Sequence, residues 1–191
     1  MNVTAYGNTV NGIQALVTIG NIVGNYIGTD ITGLSAIPNQ IGIDSGVALN
    51  GSCTIRSNLV SGNSQWGMRI TGNNNFVAGN YVGTDVTGEK PIANGSGIEF
   101  RADKSVLGTN GDGVSDSTEG NVISGNTGVA VYAYGSDTDP NWGGGLSYVS
   151  GNLIGLSASG RQLGNGSHGI YSGNNVVRFP RSEEHTSELQ S

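Results

Sequence analysis

Asn21-Ile-Val-Gly-Asn25-Tyr-Ile-Gly-Thr-Asp30-Ile-Thr-Gly33 returns later in the chain as Asn75-Phe-Val-Ala-Gly-Asn80-Tyr-Val-Gly-Thr-Asp85-Val-Thr-Gly88. A worn third copy reads Tyr148-Val-Ser-Gly-Asn152-Leu-Ile-Gly-Leu-Ser157-Ala-Ser-Gly160. Between them lie the shorter Asn58-Leu-Val-Ser-Gly-Asn63 and Asn121-Val-Ile-Ser-Gly-Asn126. Self-similarity on this scale belongs to stacked units, in which each unit buries its apolar side only against its neighbours.

The wider composition agrees. Of 191 residues, 34 are Gly and 22 are Asn, and only 12% are charged. The apolar residues are mostly β-branched and come in short runs such as Ile22-Val23, Leu59-Val60 and Val122-Ile123, each closed by Gly, Asn or Ser. That is the pattern of many short strands separated by tight turns. No window carries a 3.6-residue apolar period, so essentially no helix is expected.

A second register runs through Gly12-Ile13, Gly42-Ile43, Gly67-Met68, Gly97-Ile98, Gly128-Val129 and Gly169-Ile170, at intervals of 30, 25, 30, 31 and 41 residues. Each of these pairs opens a short alternating stretch, and the Asn-x-apolar phrases supply the later strands of the same turn. Two or three strands per interval make one coil of a parallel β-helix. About six coils, at about 4.8 Å each, give a rod roughly 30 Å long. Like residues then stack on like: Ile and Val columns build the core, Gly and Asn take the bends at positive φ, and stacked Asn amides bond up the column. An antiparallel sandwich with Asn-Gly hairpins gives no reason for nearly identical phrases 54 residues apart, at 21 and 75.

The phrase Gly24-Asn25-Tyr-Ile-Gly-Thr-Asp30-Ile-Thr-Gly33, followed by Pro38-Asn39 and Gly42-Ile43, resembles the right-handed parallel β-helix repeats of bacterial secreted and cell-surface proteins in the pectin-lyase-like superfamily. The resemblance covers residues 12–177 and implies an all-β solenoid. Its functions range from polysaccharide lyases, hydrolases and epimerases to phage tailspikes and non-catalytic adhesin stalks, so fold alone does not choose among them. It places the chain outside the cell or on its surface, with any signal or anchor beyond this piece. Residues 1–180 are read as one β-helix domain, a fragment expected to continue past Pro180 and to stack on neighbouring repeats of the full-length chain. Residues 181–191 abandon the Gly/Asn/Val composition and resemble a translated sequencing adapter, so they are set apart as a non-native tail.

Charge narrows the partners. The formal charge is −6 and no Lys/Arg cluster exists, which argues against nucleic acid. No run is long and apolar enough for a membrane-spanning helix. Cys53 stands alone and shares strand parity with Ile55, as a small core residue does.

Asp30 and Asp85 are equivalent, but the third copy has Ser157 in their place. A loop-capping residue can be Asp or Ser, whereas a general acid cannot be exchanged so freely. Tyr26 and Tyr81 correspond to Leu153, so that position asks for apolar bulk. The chemistry must therefore lie in what fails to repeat.

Three places qualify. The loop Gly108–Glu119 matches the calcium-loop pattern through Asn110, Asp112, Gly113, Asp116 and Glu119, so Asn110, Asp112, Asp116 and Glu119 are candidate Ca²⁺ ligands; Gly108 departs from the usual first Asp. The outward column of the first strand is expected to read Gln14, Asp44, Arg69, Glu99, Ala130 and Tyr171. In it Asp44, Arg69 and Glu99 would form a cross-rung charge ladder, which Arg101 and Asp103 extend along one strand. These five are the only catalytic candidates, and Arg69, Glu99 and Arg101, with Trp142 in the longest insert, are the candidate glycan-binding residues. His168 in Gly166-Ser-His168-Gly169 resembles a pectin-hydrolase motif without its aspartates, and Asp139-Pro140 is followed by Asn141 where an epimerase has His. The expectation is a non-catalytic structural or adhesive segment touching extracellular polysaccharide or cell-surface glycan, needing no cofactor beyond Ca²⁺. The alternative is a truncated polysaccharide lyase or glycoside hydrolase.

Overall fold

A computed structural model describes residues 4–134, 147–173 and 177–178. All the strand ladders are parallel. They record a six-stranded and a ten-stranded sheet, because Asn11–Val23 and Ile41–Arg56 run unbroken through a corner. Divided at that corner, the strands form three stacks. The first holds the leading halves of those two strands, then Trp66–Asn73, Ser96–Asp103, Val131–Tyr134 and Ile170–Gly173. The second holds their trailing halves, then Phe76–Ala78, Val106–Gly108, Ser147–Ser150 and Val177–Arg178. The third is built of two-residue strands: Thr4–Ala5, Tyr26–Ile27, Leu59–Val60, Tyr81–Val82, Val122–Ile123 and Leu153–Ile154. The chain visits the stacks in turn, which is the parallel β-helix the repeats call for. The helical content is one turn, Asp116–Glu119.

The core follows from the register. Ile13, Ile43, Met68, Ile98, Val131 and Ile170 lie one above another in the first stack. Ile22, Ile55, Val77, Leu107 and Val149 do so in the second. Ala5, Ile27, Val60, Val82, Ile123 and Ile154 do so in the third. Most of these side chains meet in one buried cluster, with Phe100 and Ile70 filling the widest part of the bore and Cys53 buried among them.

Two asparagine ladders line the corners on either side of the third stack. One runs Asn25, Asn58, Asn80, Asn121, Asn152. The other runs Asn8, Asn39, Asn63, Asn94, Asn126, Asn165. Each Oδ1 accepts both the backbone N–H and the Nδ2 of the Asn one coil earlier; Asn94 Oδ1 takes Asn63 N at 3.0 Å and Nδ2 at 2.9 Å. The second Nδ2 hydrogen goes back to a carbonyl, as from Asn94 to Val60 O at 2.9 Å. A buried amide is stable here because all its hydrogen-bonding groups are paired.

The repeats have a period of two coils, which the phrase spacing hides. After the third-stack strand, the first, third and fifth coils send out a long loop, while the second and fourth make the short Ser-Gly-Asn turn at 61–63 and 124–126. Long loops touch one another across the intervening coil: Val86 N donates to Gly33 O at 3.1 Å and Ala158 N to Gly88 O at 3.0 Å. The short turn is clamped between them, with Gly62 N donating to Ile92 O at 2.9 Å. A Cβ on Gly62, whose φ is +77°, would lie 2.5 Å from Gly28 O and 2.8 Å from Ala36 Cβ. Only Gly fits that space and that backbone.

Candidate functional site

The repeated acids serve the long loops. Asp30 Oδ1 accepts from Thr32 Oγ1 at 2.8 Å and from the N–H groups of Leu34 and Ser35. Asp85 Oδ1 accepts from Thr87 Oγ1 at 2.7 Å and from Thr87, Glu89 and Lys90 N–H. Ser157 Oγ takes the same place with a bond from Arg161 N. The Thr32 hydroxyl and the backbone donors hold the Asp30 carboxyl below its ordinary range. Burial pushes Asp85 up, yet the Thr87 and backbone bonds outweigh it and bring that carboxyl down too. Both are caps.

The outward face of the first stack carries an open groove of about 520 Å³ lined by Gln14, Leu16, Asp44, Gly46, Arg69, Thr71, Glu99 and Arg101. The strands place Gln14, Asp44, Arg69 and Glu99 in one column, as expected. The charge ladder is divided rather than continuous. Arg69 turns wholly to Asp44, with Nε to Oδ1 at 3.0 Å and Nη2 to Oδ2 at 2.6 Å. Glu99 is claimed instead by Arg101, two residues along its own strand, at 2.8 Å. The Asp44 hydrogen bond raises the Arg69 guanidinium above its ordinary value, with a smaller contribution from the Glu99 charge. Asp103 is absent from the groove lining; it is buried at the corner with the second stack, where its carbonyl accepts from Ser105 Oγ.

The column also departs from expectation at its fifth rung. Tyr132, not Ala130, lies over Glu99, and Ala130 is buried. Asn126 sits on Asn94, but the turn after it holds one more residue, so Gly128 rests against Gly95 rather than Gly97. The groove therefore continues into an aromatic end. Tyr132 and Tyr171 stack with ring centres 5.0 Å apart and planes 7° apart. Trp66 meets Tyr132 edge-on at 6.4 Å, and His168 meets Tyr171 edge-on at 5.7 Å. His168 Nδ1 is also 3.0 Å from Ser167 Oγ.

In the 108–119 loop the candidate ligands bond within the loop. Asn110 Nδ2 donates to Asp112 Oδ2, Gly113 N to Asp116 Oδ2, Val114 N to Asp112 Oδ1 and Asn110 N to the buried Glu119 Oε2. Among the described residues, no group of three or more His, Cys, Asp or Glu is gathered as a metal site. Trp142 lies outside the described residues, as do Asp139, Pro140, Asn141 and the tail at 181–191.

One polar cluster escaped sequence reasoning. Glu89 of the third coil's loop accepts from Ser159 N, Ser159 Oγ and Arg161 Nη2, at 2.8, 2.9 and 2.7 Å. The Arg161 and Ser159 bonds pull its carboxyl down to about 2. The three residues are 70 or more positions apart in sequence, and only the two-coil period brings them together.

No helix among the described residues is long and apolar enough to cross a membrane. Compared with protein-family models, curated proteins and solved structures, the chain matches none.

Proposed function

We propose that this chain is a non-catalytic structural and adhesive segment of a secreted or surface-anchored bacterial protein, and that its groove at Asp44, Arg69, Glu99 and Arg101 contacts extracellular glycan. The observation that carries the reading is the pairing of each groove carboxylate with a guanidinium. A general acid must hold its proton near neutral pH, and a general base must be open to its substrate. A carboxylate held in a bidentate arginine pair does neither. The same pairs form a firm polar surface, with partly exposed Arg69 and Arg101 offering donors to hydroxyl and carboxylate oxygens. The neighbouring Tyr171 supplies apolar surface.

The competing reading is a truncated lyase or hydrolase of the pectin-lyase-like superfamily. A glycan array on the full chain, run beside cleavage assays on uronate polymers, separates the two. Retention of glycans, weakened in Arg69→Ala and Arg101→Ala and without product, is the expected result. Release of new chain ends would establish the enzyme, and retention of no glycan would refute the proposed contact.

A further inference from the structure

The outer side of the third stack carries a second cleft, of about 490 Å³. Its floor is the outward column Tyr26, Leu59, Tyr81, Val122 and Leu153, which spans five coils and about 19 Å. Two walls make it a trough. One is the ridge of long loops, represented by Val86 and Ala158; the other is the helical turn of the 108–119 insert, with Ser117 and Thr118. The insert is fixed in place by Gly79 N, which donates to Glu119 O at 2.7 Å.

Two properties of this trough bear on what it holds. None of its lining residues is Asp, Glu, Lys, Arg or His, in contrast to the groove on the first stack. Its hydroxyls are also spare. Tyr26, Tyr81, Ser57 and Ser117 all line it, and their side-chain oxygens enter none of the side-chain hydrogen bonds described for the protein. At the Tyr26 and Tyr81 position the fold requires only bulk, because Leu153 serves in the fifth coil. An apolar floor edged by unused hydroxyls, with no charge in reach, complements a ligand that has apolar C–H faces and hydroxyls around its rim.

We propose that this trough is a binding site for a neutral oligosaccharide lying along the axis of the rod. Sugar rings rest on the Leu59–Tyr81–Val122 floor, where burial of apolar area supplies the affinity. The two phenols, Ser57 and Ser117 exchange hydrogen bonds with ring hydroxyls, which sets orientation. The site stands apart from the charged groove and does not depend on that groove's proposed role.

The test is calorimetric titration of the full chain with short oligosaccharides of glucose, mannose and galactose, beside oligouronates and an uncharged apolar peptide. At least one neutral sugar series is expected to bind. Tyr81→Phe, which removes one hydroxyl and no bulk, should weaken it about three- to tenfold, the worth of one hydrogen bond. Ser117→Trp, on the exposed insert, should fill the trough and abolish binding, while Arg69→Ala should leave it unchanged. Binding of oligouronates alone would overturn this inference while supporting the charged-groove proposal. Binding of the peptide alone, of no probe, or of a sugar indifferent to Ser117→Trp would also overturn it.

Discussion

Replacing Asn94 by Ala tests whether the asparagine ladder holds the rod together. Asn94 Oδ1 is the acceptor for both Asn63 N and Asn63 Nδ2, and Asn94 Nδ2 feeds Val60 O and Asn126 Oδ1. The acceptors survive its removal, since Val60 O also receives Gly83 N and Asn126 Oδ1 still receives Asn94 N. The two donors on Asn63 do not. Asn63 is 1% exposed and Asn94 is 0% exposed, so water has no ready access to them. Two orphaned buried donors at about 1–3 kcal/mol each give an expected loss of about 2–6 kcal/mol, a large part of the stability of an ordinary domain. Urea unfolding followed by circular dichroism and by Trp fluorescence measures it. Asn165→Ala is the control. Asn165 takes the same two bonds from Asn126 but is only partly buried, so water can replace the lost acceptor and the loss should stay under about 1 kcal/mol. A loss under about 1 kcal/mol for Asn94→Ala, or equal losses at the two sites, would refute the reasoning.

Three further outcomes are expected. Gly62→Ala forces a Cβ against Gly28 O and Ala36 Cβ at φ +77°, whereas Gly160→Ala at φ +81° meets nothing within 4 Å; the second should cost about 1–2 kcal/mol of backbone strain and the first clearly more, by the same urea assay. Glu89 has its carboxyl lowered to about 2 in the folded chain, against about 4.3 unfolded, so its contribution is complete above the unfolded value and is lost as pH falls towards about 2. Glu89→Gln should therefore flatten the acid limb of a pH–stability profile in that window, and an unchanged limb would show the pairing to be inert. Burial pushes the Cys53 thiol up, so a thiol reagent should label it only as fast as the rod unfolds, with labelling accelerated in urea; rapid labelling of the native chain would contradict its place in the core.

Much of the fold was legible because stacking makes each coil a template for the next. Asn at 58, 63, 80, 94, 121 and 126 could be predicted to form ladders from chemistry alone, since a buried amide column is what Asn does best. The roles of Asp30 and Asp85 followed from the Ser at 157. Two things were hidden. A single extra residue between Asn126 and Val131 moved Tyr132 onto the groove column, and a Gly-apolar pattern cannot see a one-residue change in a turn. The division of the charged face into Arg69 with Asp44 and Arg101 with Glu99 depends on side-chain directions. Neighbours up the column and along the strand compete at similar distance, and spacing alone does not rank them.

The alternation of long and short loops sets a rule of parity for the whole rod. A long loop rests on the long loop two coils away and encloses a short turn whose glycine has no room for a side chain. The unit that can be added or removed without disturbing the ridge is therefore a pair of coils, close to the 54 residues that separate the first two copies of the phrase. Loss of one coil alone would bring two long loops to a single rung spacing and leave a short turn without its cover. Length in this molecule is counted in steps of about 9.6 Å, twice the rung, and a lineage that lengthened or shortened it would have done so in even numbers.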